Sequence, residues 1–236
     1  MGTLKRLTNS FLPKSGHLEQ PVQIAGEMND PSSEATSPHE SPEAEILPIL
    51  RQRWSPYTFS GRPVKDEQLK SILEAGRWSP SSYNEQPWAY IVARKSDEEL
   101  YKKVLSCLVD QNQAWAKYAP VLILSFARTT FEKNGKENPH ARHDVGAAAA
   151  YMTVQAASHG LFVHQMAGID EKVIRDQFSI PDTHEPVAGM ALGYFETSPT
   201  EGMADFVERD QSPDLRRSLG SSFFDASWGH PHPVIQ

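Results

Sequence analysis

The chain is short of cysteine, of positive charge and of long apolar runs, and each shortage removes a class of function. A single cysteine, Cys107, in 236 residues builds neither an intramolecular disulfide framework nor a zinc ribbon, and a lone thiol fits a reducing compartment. The formal net charge of -7 argues against a nucleic-acid partner, because neutralising phosphates demands a basic face. No apolar run approaches the roughly 20 residues of a membrane span, and Met1-Gly2-Thr3-Leu4-Lys5-Arg6-Leu7 lacks the hydrophobic stretch of a secretory signal. The expectation is a cytoplasmic protein with no membrane or nucleic-acid partner. GxGxxG and Walker glycine loops, the HExxH zinc motif and internal repeats are missing too.

What is present is enough for a core: 39% of the residues are hydrophobic. Residues 1–44 differ from the rest, with Pro13, Pro21, Pro31, Pro38 and Pro42 among Ser, Glu and Asn and no sustained apolar period, so they are expected to be a disordered tail. Leu4, Leu7, Phe11 and Leu12 beside Lys5 and Arg6 form a short apolar ridge within it. The folded domain is expected over residues 45–236, including a C-terminal arm. Apolar spacing predicts helices over 43–51, 66–77, 97–109, 112–118, 140–159 and 170–178, and strands over 88–94, 121–126, 161–163 and 187–195. The almost wholly apolar run from Val121 to Phe126 suits a strand covered on both faces, at the sheet centre. Gly160 is placed to close the longest helix, whose Gly146-Ala147-Ala148-Ala149-Ala150 centre invites a close helix neighbour or a subunit seam. From Glu196 onward the sequence reads as irregular, ending in an arm that docks Phe223, Phe224 and Trp228.

Two stretches carry polar chemistry. Pro80-Ser81-Ser82-Tyr83-Asn84-Glu85-Gln86-Pro87-Trp88 sets two hydroxyls, two carboxamides and a carboxylate between prolines, a rigid junction able to grip a polar heteroaromatic ligand, although the same residues also serve as plain turn chemistry. Arg51-Gln52-Arg53, followed by Trp54-Ser55-Pro56, suits a phosphate because guanidinium matches its oxygens in a fork; arginines at a helix end are also commonly solvated. His140, His143 and Asp144 share a helical face and His230 and His232 bracket Pro231, but neither spacing is a strong metal signature. Cys107 reads as a packed thiol.

In order along the chain, Arg53-Trp54-Ser55-Pro56-Tyr57-Thr58-Phe59, Pro63-Val64 and the Pro80 to Trp88 loop closely resemble the opening of the nitroreductase family of FMN-dependent oxidoreductases. Asn112-Gln113-Ala114-Trp115, Ala119-Pro120, Ala167-Gly168, Arg216-Arg217-Ser218-Leu219 and Trp228-Gly229 agree, so the likeness runs from about residue 45 to the end. It implies an α+β, three-layer α-β-α fold with a central, mainly antiparallel sheet in a homodimer. It implies that Arg53 and Arg216 hold the FMN phosphate with Trp54 and Ser55 beside them, and that Pro80, Ser81, Ser82 and Asn84 reach the flavin from the partner subunit. Asn112 would hydrogen-bond the ring, and Ala167 and Gly168 would lie along it. The implied reaction passes electrons from NADH or NADPH to nitroaromatics, quinones or other electron-poor small-molecule acceptors by a ping-pong mechanism, the flavin doing the chemistry, with no protein catalytic residue and no metal. Tyr57 and Asp214 stand where many members carry cations, and Ala167 where some carry Glu. A flavin sensor or flavin-handling protein of the same fold is the first alternative. A metal-dependent hydrolase using His140, His143 and Asp144 is the second.

Overall fold

The structure, a computed structural model, describes residues 41–198, 201–212 and 215–235. The expectations for residues 1–40 and Asp214 lie outside these residues. Along the chain run α1 (Pro48–Gln52), α2 (Asp66–Arg77), β1 (Trp88–Arg94), α3 (Glu98–Ser106), α4 (Asp110–Ala116), β2 (Val121–Arg128), α5 (Ala141–Ser158), β3 (Phe162–Met166), α6 (Glu171–Phe178), β4 (His184–Gly193) and α7 (Ala204–Gln211).

The four strands form one sheet in the order β1-β2-β4-β3, and every pairing is antiparallel. β2 lies between β1 and β4, which is why it is apolar on both faces. Its side chains alternate as the strand period requires. Leu122, Leu124 and Phe126 enter a core with Tyr101, Val104, Trp115 and Ile174 from α3, α4 and α6. Val121 and Ile123 enter the opposite core with Leu69, Ile72, Ala149, Met152 and Ala156 from α2 and α5. Helices therefore cover both faces, and the register of β2 on β4 shifts between Ser125 and Phe126.

Local chemistry fixes the element ends. Asp97 and Asp170 accept from the backbone N–H of Leu100 and Val173 and so cap α3 and α6. α5 ends ahead of Gly160, at φ +68°, as its sequence suggests. Several boundaries differ from expectation, and three of the differences have a local reason. α1 starts at Pro48 rather than at residue 43, because a proline brings the pre-set φ of a first helical turn and lacks the N–H that a position further inside would need. β3 runs on to Met166, its polar His164 and Gln165 hiding the strand from an apolar count. The irregular reading after Glu196 misses α7, whose few apolar residues include Phe206 and Val207, too few to mark a helical face.

Candidate functional site

Arg53 is the C-cap of α1 and donates its backbone N–H to Ile49 O at 3.1 Å. The residues that follow are tied into the fold one after another. The Trp54 ring is buried edge-on to Phe162 and Phe195, with centroids 5.8 and 5.0 Å away, and its Nε1 has no hydrogen-bond partner among the described residues. Ser55 is half-buried, and Pro56 O lies 2.9 Å from His164 Nδ1. Tyr57 N and Thr58 N donate to the Asp210 carboxylate at 2.7 and 2.9 Å, and Thr58 Oγ1 donates to it at 2.6 Å. Asp210, on α7, thus holds two backbone donors and a hydroxyl. Arg209 lies over the Tyr57 ring, 5.3 Å from its centroid, so a cation from α7 stands against that aromatic face.

A cavity of about 360 Å³ brings Arg53 together with Arg216 from the far end of the chain. Arg51 and Arg217 line it as well, with Glu43 as an anion and Ile46, Leu50 and Leu219 as apolar walls. Glu43 Oε1 accepts from Leu219 N at 3.1 Å, so residues just before the expected domain start tie down the C-terminal segment. Four arginines lining one cavity supply the charge and the forked donors that suit a phosphate dianion.

Asn112 and Gly168 also meet. Asn112 Nδ2 donates to Gly168 O at 3.0 Å, and Val109 N donates to the same oxygen at 3.1 Å. A Cβ on Gly168 would sit 2.6 Å from Asn112 Nδ2 and 2.7 Å from Val109 Cγ2, so only a hydrogen fits there. Ala167, next to it, is exposed, leaving a bare stretch of backbone beside the Asn112 carboxamide.

The loop from Pro80 to Gln86 stands apart, for none of its residues lines the arginine cavity. Tyr83, Asn84 and Gln86 take φ of 54°, 56° and 49° without being glycine. Each such residue costs on the order of 1–3 kcal/mol and persists only where its surroundings impose it. Two carboxylates do so. Asp144, on the first turn of α5, is buried and accepts from Ser82 N at 2.9 Å. Glu85 accepts from Arg128 Nη2 at 2.5 Å and from Glu132 N at 2.6 Å. Ser81 Oγ accepts from Gln86 N at 3.0 Å and closes the turn. Pro80 and Asn84 are exposed and Ser81 and Ser82 half-buried.

Sequence reasoning misses Asp210, Glu85 and the loop-holding use of Asp144. A metal-ligand role for Asp144 gives way to hydrogen bonding, since Ser82 N and His143 Nδ1 engage its carboxylate. Among the described residues no group of three or more His, Cys, Asp or Glu could hold a metal ion. Cys107 is buried at the end of α3, and burial, with Asp170 nearby, pushes its thiol up to about 11, so it is a packing group.

The pattern that defines the Nitroreductase family matches residues 50–194. The chain belongs to the nitroreductase family. A solved structure described as an oxidoreductase containing FMN is 32% identical, superposes with a TM-score of 0.73, and is matched over 80% of this chain and 96% of its own. A protein of Methanothermobacter thermautotrophicus, provisionally named an NADH dehydrogenase/NAD(P)H nitroreductase, is 26% identical over 84% of this chain and 94% of its own. An uncharacterised 15.4 kDa protein of Mycolicibacterium smegmatis is 37% identical over 54% of this chain and 84% of its own. The nitroreductase pattern thus spans both the Arg53 segment and the Asn112–Gly168 contact.

Proposed function

We propose that this nitroreductase-family chain is a cytoplasmic, FMN-dependent oxidoreductase that takes electrons from NADH or NADPH and passes them to nitroaromatic, quinone or other electron-poor acceptors by a ping-pong mechanism. The observation that carries the reading is the convergence of Arg53 and Arg216 on one cavity. The residues fit the cofactor on two counts: the guanidiniums suit a phosphate dianion, and Gly168, packed against Asn112 and Val109, adds no side chain to the backbone beside the exposed Ala167. FMN, when bound, supplies the hydride and electron chemistry.

The chain's own residues bind and orient. Arg53 and Arg216 neutralise phosphate, and Trp54, with its ring in the core, contributes its backbone next to Ser55. Asn112 spends Nδ2 on Gly168 O, so its Oδ1 is the atom left to accept from a ring N–H. Ala167 and Gly168 present backbone rather than side chain.

The reading includes a homodimer. The Pro80, Ser81, Ser82 and Asn84 loop lies outside the arginine cavity, so a second copy would bring it to the flavin. Surface is available for that copy: Phe223 and Trp228 on the arm are 57% and 93% exposed, and Gly146, Ala150 and Tyr151 form an exposed face on α5. The Trp228 ring packs at a tilt of 55° against Phe224 of the arm itself rather than in the core, which accords with docking on a partner.

The test is the visible spectrum of the purified protein, mass identification of the released cofactor, and anaerobic addition of NADH or NADPH. Bleaching followed by re-oxidation with p-nitrobenzoate is expected. A flavin spectrum that neither donor bleaches would favour the sensor alternative. Light scattering should give a dimer; a monomer with stoichiometric FMN would overturn the shared site.

A further inference from the structure

We propose that Tyr83 and Phe131 form the seat of a planar, electron-poor aromatic acceptor; this rests on the oxidoreductase reading above and names where its acceptor is held. Tyr83 is 90% exposed, and its backbone lies in the left-handed region at φ 54°, ψ 21°, where a bulky side chain is unfavourable. Its ring has one aromatic neighbour among the described residues, Phe131, with centroids 5.9 Å apart and planes at 82°. Two perpendicular rings make a corner. A flat guest can stack on the ring face left open and meet the other ring edge-on, satisfying both favourable aromatic geometries.

The corner is held from behind. Phe131 belongs to a short turn in which Phe131 N donates to Lys136 O and Gly135 N to Phe131 O, both at 2.8 Å. Glu85 ties that turn to the Tyr83 loop, since its carboxylate binds Arg128 Nη2 and Glu132 N together. Ser82 N on Asp144 fixes the loop on its other side. The bracing that holds the neighbouring Ser81, Ser82 and Asn84 also keeps the Tyr83 ring at a fixed angle to Phe131, as a ring that grips a flat ligand requires. The electron-rich phenol face favours an electron-poor guest, a nitroarene or quinone, over a non-aromatic oxidant. It also separates this seat from the arginine cavity, which selects by charge.

The experiment uses the full-length protein as purified with its cofactor, and p-nitrobenzoate as probe. Equilibrium dialysis without electron donor should show saturable binding to wild type, about tenfold weaker binding to Tyr83→Ala, and Tyr83→Phe within about threefold of wild type because the stacking face is kept. Phe131→Ala should also weaken binding while leaving Tyr83 in place. In turnover, Tyr83→Ala should raise KM for p-nitrobenzoate by a similar factor and leave ferricyanide reduction, flavin content and Tm unchanged. Equal affinity of wild type and Tyr83→Ala, no saturable binding to wild type, or an equal loss with ferricyanide would overturn the proposal. If binding depends on Tyr83 but neither NADH nor NADPH bleaches the flavin, the seat stands and the oxidoreductase reading fails.

Discussion

On one side of the candidate site, Asn112 and Gly168 meet where α4 faces the segment after β3, against Val109, and leave no room for a side chain. On the other, the guanidiniums stand on a five-residue helix with no buried residue and on a C-terminal segment where Arg216 and Arg217 are exposed. The first half is shaped before any ligand arrives. The second gathers positive charge on elements with little buried surface. In the proposed function, charge would supply affinity at the arginine end and packing would supply orientation at the Asn112 end. Asp210 steadies the arginine half, because it fastens the backbone four and five residues beyond Arg53 to α7.

Removing that fastening should have the largest effect. Asp210→Ala strands Tyr57 N and Thr58 N, and losing three bonds to a buried carboxylate should cost about 3 kcal/mol of stability. Urea unfolding measures it; a change below about 1 kcal/mol would mean that α7 does not hold the Arg53 segment.

Arg53→Ala comes next. Loss of a forked, charge-assisted contact should weaken FMN binding by about 2–3 kcal/mol, on the order of a hundredfold, with little change for riboflavin. Arg53→Lys should fall between, since a point charge keeps the attraction and loses the fork. Titration of both ligands decides it, and an equal small effect on the two would remove the phosphate role.

Gly168→Ala probes the packed half. The new Cβ must displace Asn112 or the stiff Val109 side chain, which should cost about 1–2 kcal/mol, read as a lowered Tm. It should also alter the bound-flavin spectrum more than the FMN affinity. A larger effect on affinity than on spectrum would reverse the division between the two halves.

The smallest effect lies outside both halves, at Arg142 and Glu185. The Arg142 side chain hydrogen-bonds the Glu185 carboxyl and holds it below the usual carboxylate range. The folded state then binds fewer protons than the unfolded one around the ordinary value, so the pair's stabilisation is present above that value and lost as pH falls through the lowered one. Because Arg142 is 65% exposed, Glu185→Gln should cost less than about 1 kcal/mol at pH 7. The gap between variant and wild type should close on acidification, which melts from about pH 7 down to about pH 3 would show.

Legibility follows chemistry with short range. β1 and α2 are legible with their observed limits because alternating or three-and-four apolar spacing is written locally. The cavity arginines Arg53 and Arg216 and the Asn112 and Gly168 positions are reached through motif order, which travels with the family. Asp210 is not legible: its worth lies in two backbone N–H groups 152 and 153 residues away, and nothing beside it in sequence announces them. Asp144 shows the same limit: beside two histidines it offers only a weak metal pattern, and its hydrogen bond from Ser82 N, 62 residues away, is not announced by its neighbours.

The sequence by itself determined what is additive along the chain: the elements, the apolar central strand, the absence of disulfides and glycine nucleotide loops, and the order of family motifs. Tertiary structure decided what depends on distance between remote residues. It set Arg53 beside Arg216 in one cavity, stood Tyr83 on a strained loop braced by Glu85 and Asp144, and left that loop outside the cavity. The physical reason is that periodicity reports which face of an element is apolar, while hydrogen bonds and charges act over a few ångströms between groups that only the packed sheet and its helices bring together.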